Sequence, residues 1–392
     1  MSQNFDVIVI GAGVIGVSTA FHLAERGLKP IILERKQIGY GATGSSSGLV
    51  RMHYDLEVES RLAWESFQYF RNWGDRVGGE CGFRRTGFLH IEPTHHEAQL
   101  HKNVEMQQRI GIPTSIITGA DVKKIAPYFK TDDIAFAAYE PESGYADATL
   151  TANSFLTAAK ELGAVYMQDC EVTAVQISGG KVTGVQTTRG DFSAPIIINA
   201  AGAWAGKLSD LFGVSIPLGT WTHDVVHIRR PAHIVDHLAV IDSSLGMYFR
   251  PDSGNLTLVA LEDDTRFDEP AEKELGYVAR DFVDRAIDRI CMRIPAMEEG
   301  SLHSSHVGRD GITPDQRAII GQTGPEGYFL ATGFSGTGFK IAPAVGLCIS
   351  ELILDGRSKT IDISGFDPMR FARGEQLKGE NDYGFIWRSA ST

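Results

Sequence analysis

Several things are scarce in this sequence of 392 residues, and each scarcity removes a class of protein. There are four cysteines, Cys81, Cys170, Cys291 and Cys348, far apart and without a CxxC pair. That excludes a disulfide scaffold and reads as free thiols in a reducing compartment. No run of about 18 apolar residues occurs, so no membrane-spanning helix is expected. Lys and Arg number 37 against 49 Asp and Glu, a net charge of −12. With no clustered basic run, a nucleic-acid partner is not expected. No positively charged lead-in to an apolar segment precedes the first predicted strand, as a secretory signal would require. The expected location is the cytoplasm. Internal repeats, low-complexity segments, a GxSxG elbow and a P-loop are also missing. The histidines of "HHEAQLH" (95–101) lack the HExxH spacing. His96 and His101 diverge around a helix, so this stretch reads as a solvated polar face and no metal is expected.

Glycine, by contrast, is plentiful. The chain has 43, about 11% against a usual ~7%. Hydrophobic residues at 43% and charged residues at 22% are ordinary for a globular protein. The length suits two domains or one large interleaved unit. Glycines in such number suit an α/β enzyme with several tight cofactor loops.

The stretch "VIVIGAGVIGVSTAFHLAERGLKPIILER" (7–35) shows how they are used. Phe5 to Ile10 reads as a buried parallel strand, Val14 to Arg26 as a helix closed by Gly27, and Lys29 to Leu33 as a second strand. GxGxxG is weak evidence alone, but here it sits between strand and helix. Gly11 allows the tight turn, Gly13 lets backbone approach a pyrophosphate, and Gly16 lets helix pack on strand. Val14 and Ile15 open the helix, whose N-terminus faces the phosphates. Glu34, about 20 residues on, can accept ribose hydroxyls and would repel a 2′-phosphate. NADP is therefore disfavoured, and NAD or the adenosine half of FAD is favoured.

The next stretch favours FAD. "GYGATGSSSGLVR" (39–51) places Gly41, Ala42, Thr43, Gly44, Ser45, Ser46 and Ser47 directly after Glu34 and Arg35. Small residues of this kind can wrap a cofactor closely. "APIIINAAGAWAG" (194–206) is a buried strand running into Ala200, Ala201, Gly202 and Trp204. "GYFLATGFSGTGFKIAPAVG" (327–346) is a strand, a turn through Gly333, Phe334, Ser335, Gly336, Thr337, Gly338 and Phe339, and a helix from about Ile341. Three distant segments converging on one ligand suit a long dinucleotide with a large ring system.

On these motifs, with "TPD" at 313–315, the sequence resembles the D-amino-acid oxidase superfamily of flavoproteins, in particular its branch of sarcosine oxidases, sarcosine and dimethylglycine dehydrogenases and glycine oxidase. The resemblance implies an α/β architecture in which a Rossmann-like FAD-binding domain is interleaved with an α+β substrate domain built on a mostly antiparallel sheet. The expected FAD domain comprises 1–80, 145–215 and 305–392, with Val172 among its cofactor residues. The expected substrate domain comprises 81–144 and 216–304. Charged helix is expected over Glu272 to Ile290.

The chemistry implied is oxidation of a C–N bond of a small amino acid, a secondary or N-methylated one first, by hydride transfer to FAD and hydrolysis of the imine. A D-amino acid, glycine or a 2-hydroxy acid is the alternative substrate. The electron acceptor is O2 or another molecule. The chain could act alone, as a homo-oligomer or as the flavin subunit of a hetero-oligomer. An amino acid carboxylate needs cations. Lys340 matches the family's carboxylate-binding lysine, and a lysine at a helix start opposes the dipole and needs a reason to be there. Arg51 matches an arginine against the flavin ring. The family's second arginine is missing, since Met52 and His53 follow, and Arg250 in "MYFRP" is the candidate replacement. Tyr248 resembles a pocket tyrosine. Gly308 stands where monomeric sarcosine oxidases carry a flavin-linking cysteine, so FAD is expected to be non-covalent. Thr257 matches the position of a lysine over the flavin. Of His223 and His227, on one side of a strand, one could line the pocket.

Overall fold

The computed structural model describes residues 3–384. Two large sheets organise it. The first has six strands, in the order Val165–Met167, Pro30–Leu33, Val7–Ile10, Ile197–Asn199, Tyr328–Thr332 and Ile319–Gln322. Neighbours are parallel except the last pair. Val7–Ile10 and Pro30–Leu33 are buried at every position. Both faces are covered, so the sequence is continuously apolar instead of alternating. The helices Val14–Glu25, Ala148–Glu161 and Gly338–Asp355 pack together on one face. A second core, with Phe192, Phe212 and Tyr328, fills the other. A small four-stranded sheet, 3–4 with 190–193, 181–187 and 172–178, joins that side.

The second large sheet has eight strands, in the order Ser301–Ile312, Gly219–Arg229, Leu256–Phe267, Met247–Asp252, Ala239–Asp242, Phe88–Ile91, Phe136–Glu140 and Ser115–Thr118. All pairs are antiparallel except Ala239–Asp242 with Phe88–Ile91. The helix Arg280–Arg293 covers it through Phe282, Ala286 and Ile290. This is the expected mixed α/β class with a mostly antiparallel second sheet. Two details differ from expectation. Ser301–Ile312 belongs to the eight-stranded sheet along its whole length, across the anticipated boundary at 304/305. The charged helix begins at Arg280, because Pro270, which opens a turn, and Gly276, at φ +71°, keep the preceding stretch irregular.

Residues 313–317 tie the C-terminal region to this frame. Asp315 accepts from Arg370 Nη2 and Nε at 2.9 Å each and from the Leu377 amide at 3.0 Å. Both side chains are fully buried. The "TPD" stretch thus holds a buried ion pair that clamps the chain end. Arg317 makes a second one, to Asp55 at 2.8 and 2.9 Å and to Glu59. Among the described residues, no helix is long and apolar enough to cross a membrane.

Candidate active site

A cavity of about 710 Å³ runs from the glycine turn of the first sheet to the inner face of the second. At one end, Gly11 has φ +106°, and a Cβ there would stand 2.5 Å from the Ala200 carbonyl oxygen. A Cβ on Gly16 would stand 2.0 Å from the Gly11 oxygen. These two glycines are demanded by the protein's own packing. Gly13 is not, since a Cβ there would meet only Thr43 Oγ1, at 3.3 Å. It lines the cavity instead, so its missing side chain serves whatever lies against it. The helix behind it has no side-chain cap and no acidic residue in its first turn, which leaves its N-terminal end suited to an anion.

Glu34 accepts from the Ala12 amide at 2.9 Å and the Lys36 amide at 2.8 Å. It is thereby fixed at the cavity wall with lone pairs to spare. Thr43 Oγ1 accepts from the Val14 amide at 3.0 Å, which draws the small-residue loop onto the helix start. Asn199 pins the facing loop. Its amide nitrogen donates to Ala205 O, Ser209 Oγ and Tyr328 OH, and its oxygen accepts from the Ala201 amide. Beyond it the Arg35 guanidinium stacks over Trp204 at 4.3 Å. The buried Nε1 of Trp204 has no partner among the described residues. Val172 completes this end. A long groove with a bare helix N-terminus, a poised carboxylate and an aromatic wall fits FAD.

Of the residues named from sequence for this cofactor, 333–340, Gly41, Ala42, Ser46, Ser47 and Ile15 also line the cavity. Gly16, Gly44 and Ser45 do not. Gly16 packs helix on strand. Gly44 has room for no side chain because the Gly39 oxygen would stand 2.6 Å away. The Ser45 carbonyl faces His306 at 3.3 Å.

The other end is made of side chains. Lys340 is buried, lines the cavity and donates only to the Gly336 carbonyl at 3.2 Å. Burial, and then the charge of Arg51, bring its ammonium down to about 7, with Asp310 opposing. Arg51 lies over the Tyr54 ring at 4.3 Å and bonds the His53 carbonyl. Its segment is held by Glu140, which accepts from the Met52 amide at 3.0 Å and from Ser143 Oγ at 2.5 Å. Tyr248 and His223 also reach the cavity.

Two expectations are corrected here, and of the two strand histidines it is His223 that lines the cavity. Arg250 does not line the cavity. It stacks on Tyr145 at 4.4 Å and is spent on Asp252 at 3.1 Å and on the Ser47 and Pro251 carbonyls. Thr257 is fully buried, away from the cavity, and its hydroxyl donates to His237 Nε2 at 2.9 Å, since His237 Nδ1 donates to the Leu238 carbonyl. His227 instead stacks on His306 and faces Asp252 at 3.6 Å.

Sequence reading missed a cluster at this end. Glu92 is bracketed by His90 Nε2 at 2.6 Å, His96 Nδ1 at 2.7 Å and Ser243 Oγ at 2.9 Å. Burial works against it, yet these three partners hold the Glu92 carboxyl below its usual range. His96 is therefore a cavity residue and not part of a solvated face. The Gln107 amide nitrogen donates to Tyr54 O, so its oxygen accepts from His53 Nδ1 at 3.0 Å. His53 Nε2 is then an acceptor, and Tyr383 OH donates to it at 2.8 Å. Burial, with His90 and Arg51 close by, keeps His53 well below 6.5 and neutral. The alternation His90, Glu92 on one strand was the available signal. Its coupling to Tyr383, some 290 residues away, was not. Among the described residues no group of three or more side chains could hold a metal ion.

Residues 6–352 match the family described as FAD dependent oxidoreductase. The chain belongs to that family. It is an oxidoreductase, and its cofactor is FAD. It is 27% identical to human mitochondrial sarcosine dehydrogenase over 95% of its own length, but spans only 42% of that protein. It is 26% identical to glycine oxidase of Geobacillus kaustophilus, covering 94% of this chain and 98% of that one. Among solved structures, the L-proline dehydrogenase from P. horikoshii superposes with a TM-score of 0.90 at 27% identity, over 96% of this chain and 100% of that one.

Proposed function

We propose that this family member oxidises the C–N bond of a small amino acid, a secondary or N-methylated one such as sarcosine or a cyclic imino acid. The observation that carries the reading is Lys340, a buried ammonium on the cavity wall with no carboxylate within 4 Å of it among the described residues. A buried cation left in that state is costly unless a ligand anion meets it. Arg51 adds a second positive charge beside it. A substrate carboxylate supplies the missing partner and is thereby oriented. When bound, FAD supplies the acceptor for the hydride of the C–H bond next to nitrogen. The chain's own residues hold the carboxylate, exclude water and set the local charge. The names of the relatives, which act on sarcosine, glycine and L-proline, support a small amino acid.

Non-covalent attachment of FAD fits the wall near Gly308. A Cβ there would stand 2.6 Å from His223 Nε2 and 2.9 Å from Ser45 Oγ, so a flavin-linking side chain at this position would have to displace both. Anaerobic addition of sarcosine, dimethylglycine, proline, D-alanine, glycine and 2-hydroxy acids to the holoprotein, one at a time, tests the reading. Bleaching of the flavin band by a secondary amino acid is expected. Bleaching by a 2-hydroxy acid alone would overturn it.

A further inference from the structure

We propose, resting on the amino acid reading above, that Asp310 receives the substrate nitrogen: it anchors the ammonium opposite Lys340 and takes its proton. Asp310 lies on the strand Ser301–Ile312, paired in register with Trp221, while Gly308 pairs with His223. Cross-strand partners share a face of the sheet, and Trp221, His223 and Asp310 all line the cavity.

The Asp310 side chain is only 17% exposed, and among the described residues the one basic side chain within 4 Å is His223, its Nδ1 at 3.8 Å. That separation is too long for a hydrogen bond. His223 Nδ1 is itself buried with no hydrogen-bond partner among the described residues. The adjacent Arg309 points elsewhere, to Thr222, Glu269 and two carbonyls. A carboxylate so placed is under-satisfied in the protein alone. Burial pushes its carboxyl up, while the charges of His223 and Lys340 act the other way.

Among the described residues, the cavity thus carries on its wall an ammonium and a carboxylate that have no ion-pair partner within hydrogen-bond distance. An amino acid zwitterion presents the complementary pair, its carboxylate to Lys340 and its ammonium to Asp310. An ammonium cannot lose a hydride from the neighbouring carbon, because nitrogen has no free electron pair. With Asp310 ionised, one N–H bond breaks, its proton forms an O–H bond on the carboxylate, and nitrogen keeps the pair. That pair is what the C=N bond of the oxidised product requires. A carboxyl with a raised pKa suits a proton acceptor. The titratable groups facing it are His223 and Tyr248 from neighbouring strands and Lys340 from the helix, with Glu262 on the same wall.

The test uses holoprotein, an amino acid that bleaches it, and the oxygen isostere of that amino acid: methoxyacetate for sarcosine, tetrahydrofuran-2-carboxylate for proline. The isostere keeps the carboxylate and has no ammonium. Asp310→Asn should weaken amino acid binding at least tenfold, leave isostere binding within twofold, and abolish the acid limb of the bleaching rate against pH. Asp310→Glu should restore part of that limb. If the Asn variant loses its flavin, the Glu variant carries the test, with a reduced bleaching rate and unchanged isostere affinity. Equal loss of both ligands, or an unaltered acid limb in a flavin-loaded variant, would overturn the role of Asp310 alone. Wild-type protein that no amino acid bleaches would instead overturn the reaction itself, and this proposal with it.

Discussion

The glycine-motif end of the cavity and its far end are walled by different materials. At the first, backbone and small residues make the surface: Gly11, Gly13, the loop from Gly41 to Ser47 and the turn from Gly333 to Gly338. At the second, the wall is Lys340, Arg51, Asp310, His223, Glu92 and Tyr383. Backbone amides and a helix N-terminus recognise what all dinucleotides share, the pyrophosphate, and they tolerate little change. Side chains recognise what differs between substrates, and they can be exchanged without disturbing the frame. One fold can therefore keep its cofactor and change its chemistry.

The largest effect should come from breaking the backbone end. Gly16→Val sets a side chain where even a Cβ would stand 2.0 Å from the Gly11 oxygen. Overpacking of this kind costs about 1–3 kcal/mol or more, and the turn that meets the phosphates must move. The flavin-to-protein ratio, read from the absorbance of purified protein, should fall close to zero. Retention of full flavin would show that the turn is more pliable than its packing indicates.

A smaller effect separates two buried cations at the other end. Arg250 and Lys340 were both read from the sequence as carboxylate partners. Arg250 has its own anion in Asp252, and among the described residues Lys340 has none within 4 Å. Arg250→Met should lower the melting temperature, since removing one member of a largely buried pair is destabilising. It should change the KM for the bleaching amino acid by less than threefold. A tenfold rise in KM with unchanged flavin content would return Arg250 to the site.

The same contrast explains what the sequence could disclose. Gly11, Gly13, Gly16 and Glu34 fall within one strand–turn–helix–strand unit, where spacing along the chain equals spacing in the fold. The loop 39–51 and the turn 333–340 carried a local signal too, because small residues crowd where backbone must approach a ligand. Arg250 and Thr257 were misplaced because a residue's face on a twisted strand depends on register. Asp242, Leu258 and Pro251 fix that register, and none announces it. Ser243 on Glu92, and Tyr383 on His53, are partnerships across long separations in the chain. No periodicity encodes them. Asp315 and Arg370 show that a motif which signals the family can do so through a structural ion pair.

The central claim is that Lys340 waits for a carboxylate, and the isostere binding titration tests it most directly. Methoxyacetate or tetrahydrofuran-2-carboxylate would be titrated into wild-type and Lys340→Met holoprotein, followed by the flavin spectrum, between pH 6 and 9. In the free protein Lys340 is protonated below about 7 and loses its charge as pH rises. Affinity in the wild type should therefore be highest at pH 6 and fall by up to about tenfold per pH unit above 7. In Lys340→Met it should be about a hundredfold weaker at pH 6, as expected for loss of a buried charged partner worth about 3 kcal/mol, and nearly independent of pH. A variant that binds the carboxylate as well as wild type, with the same pH profile, would contradict the account.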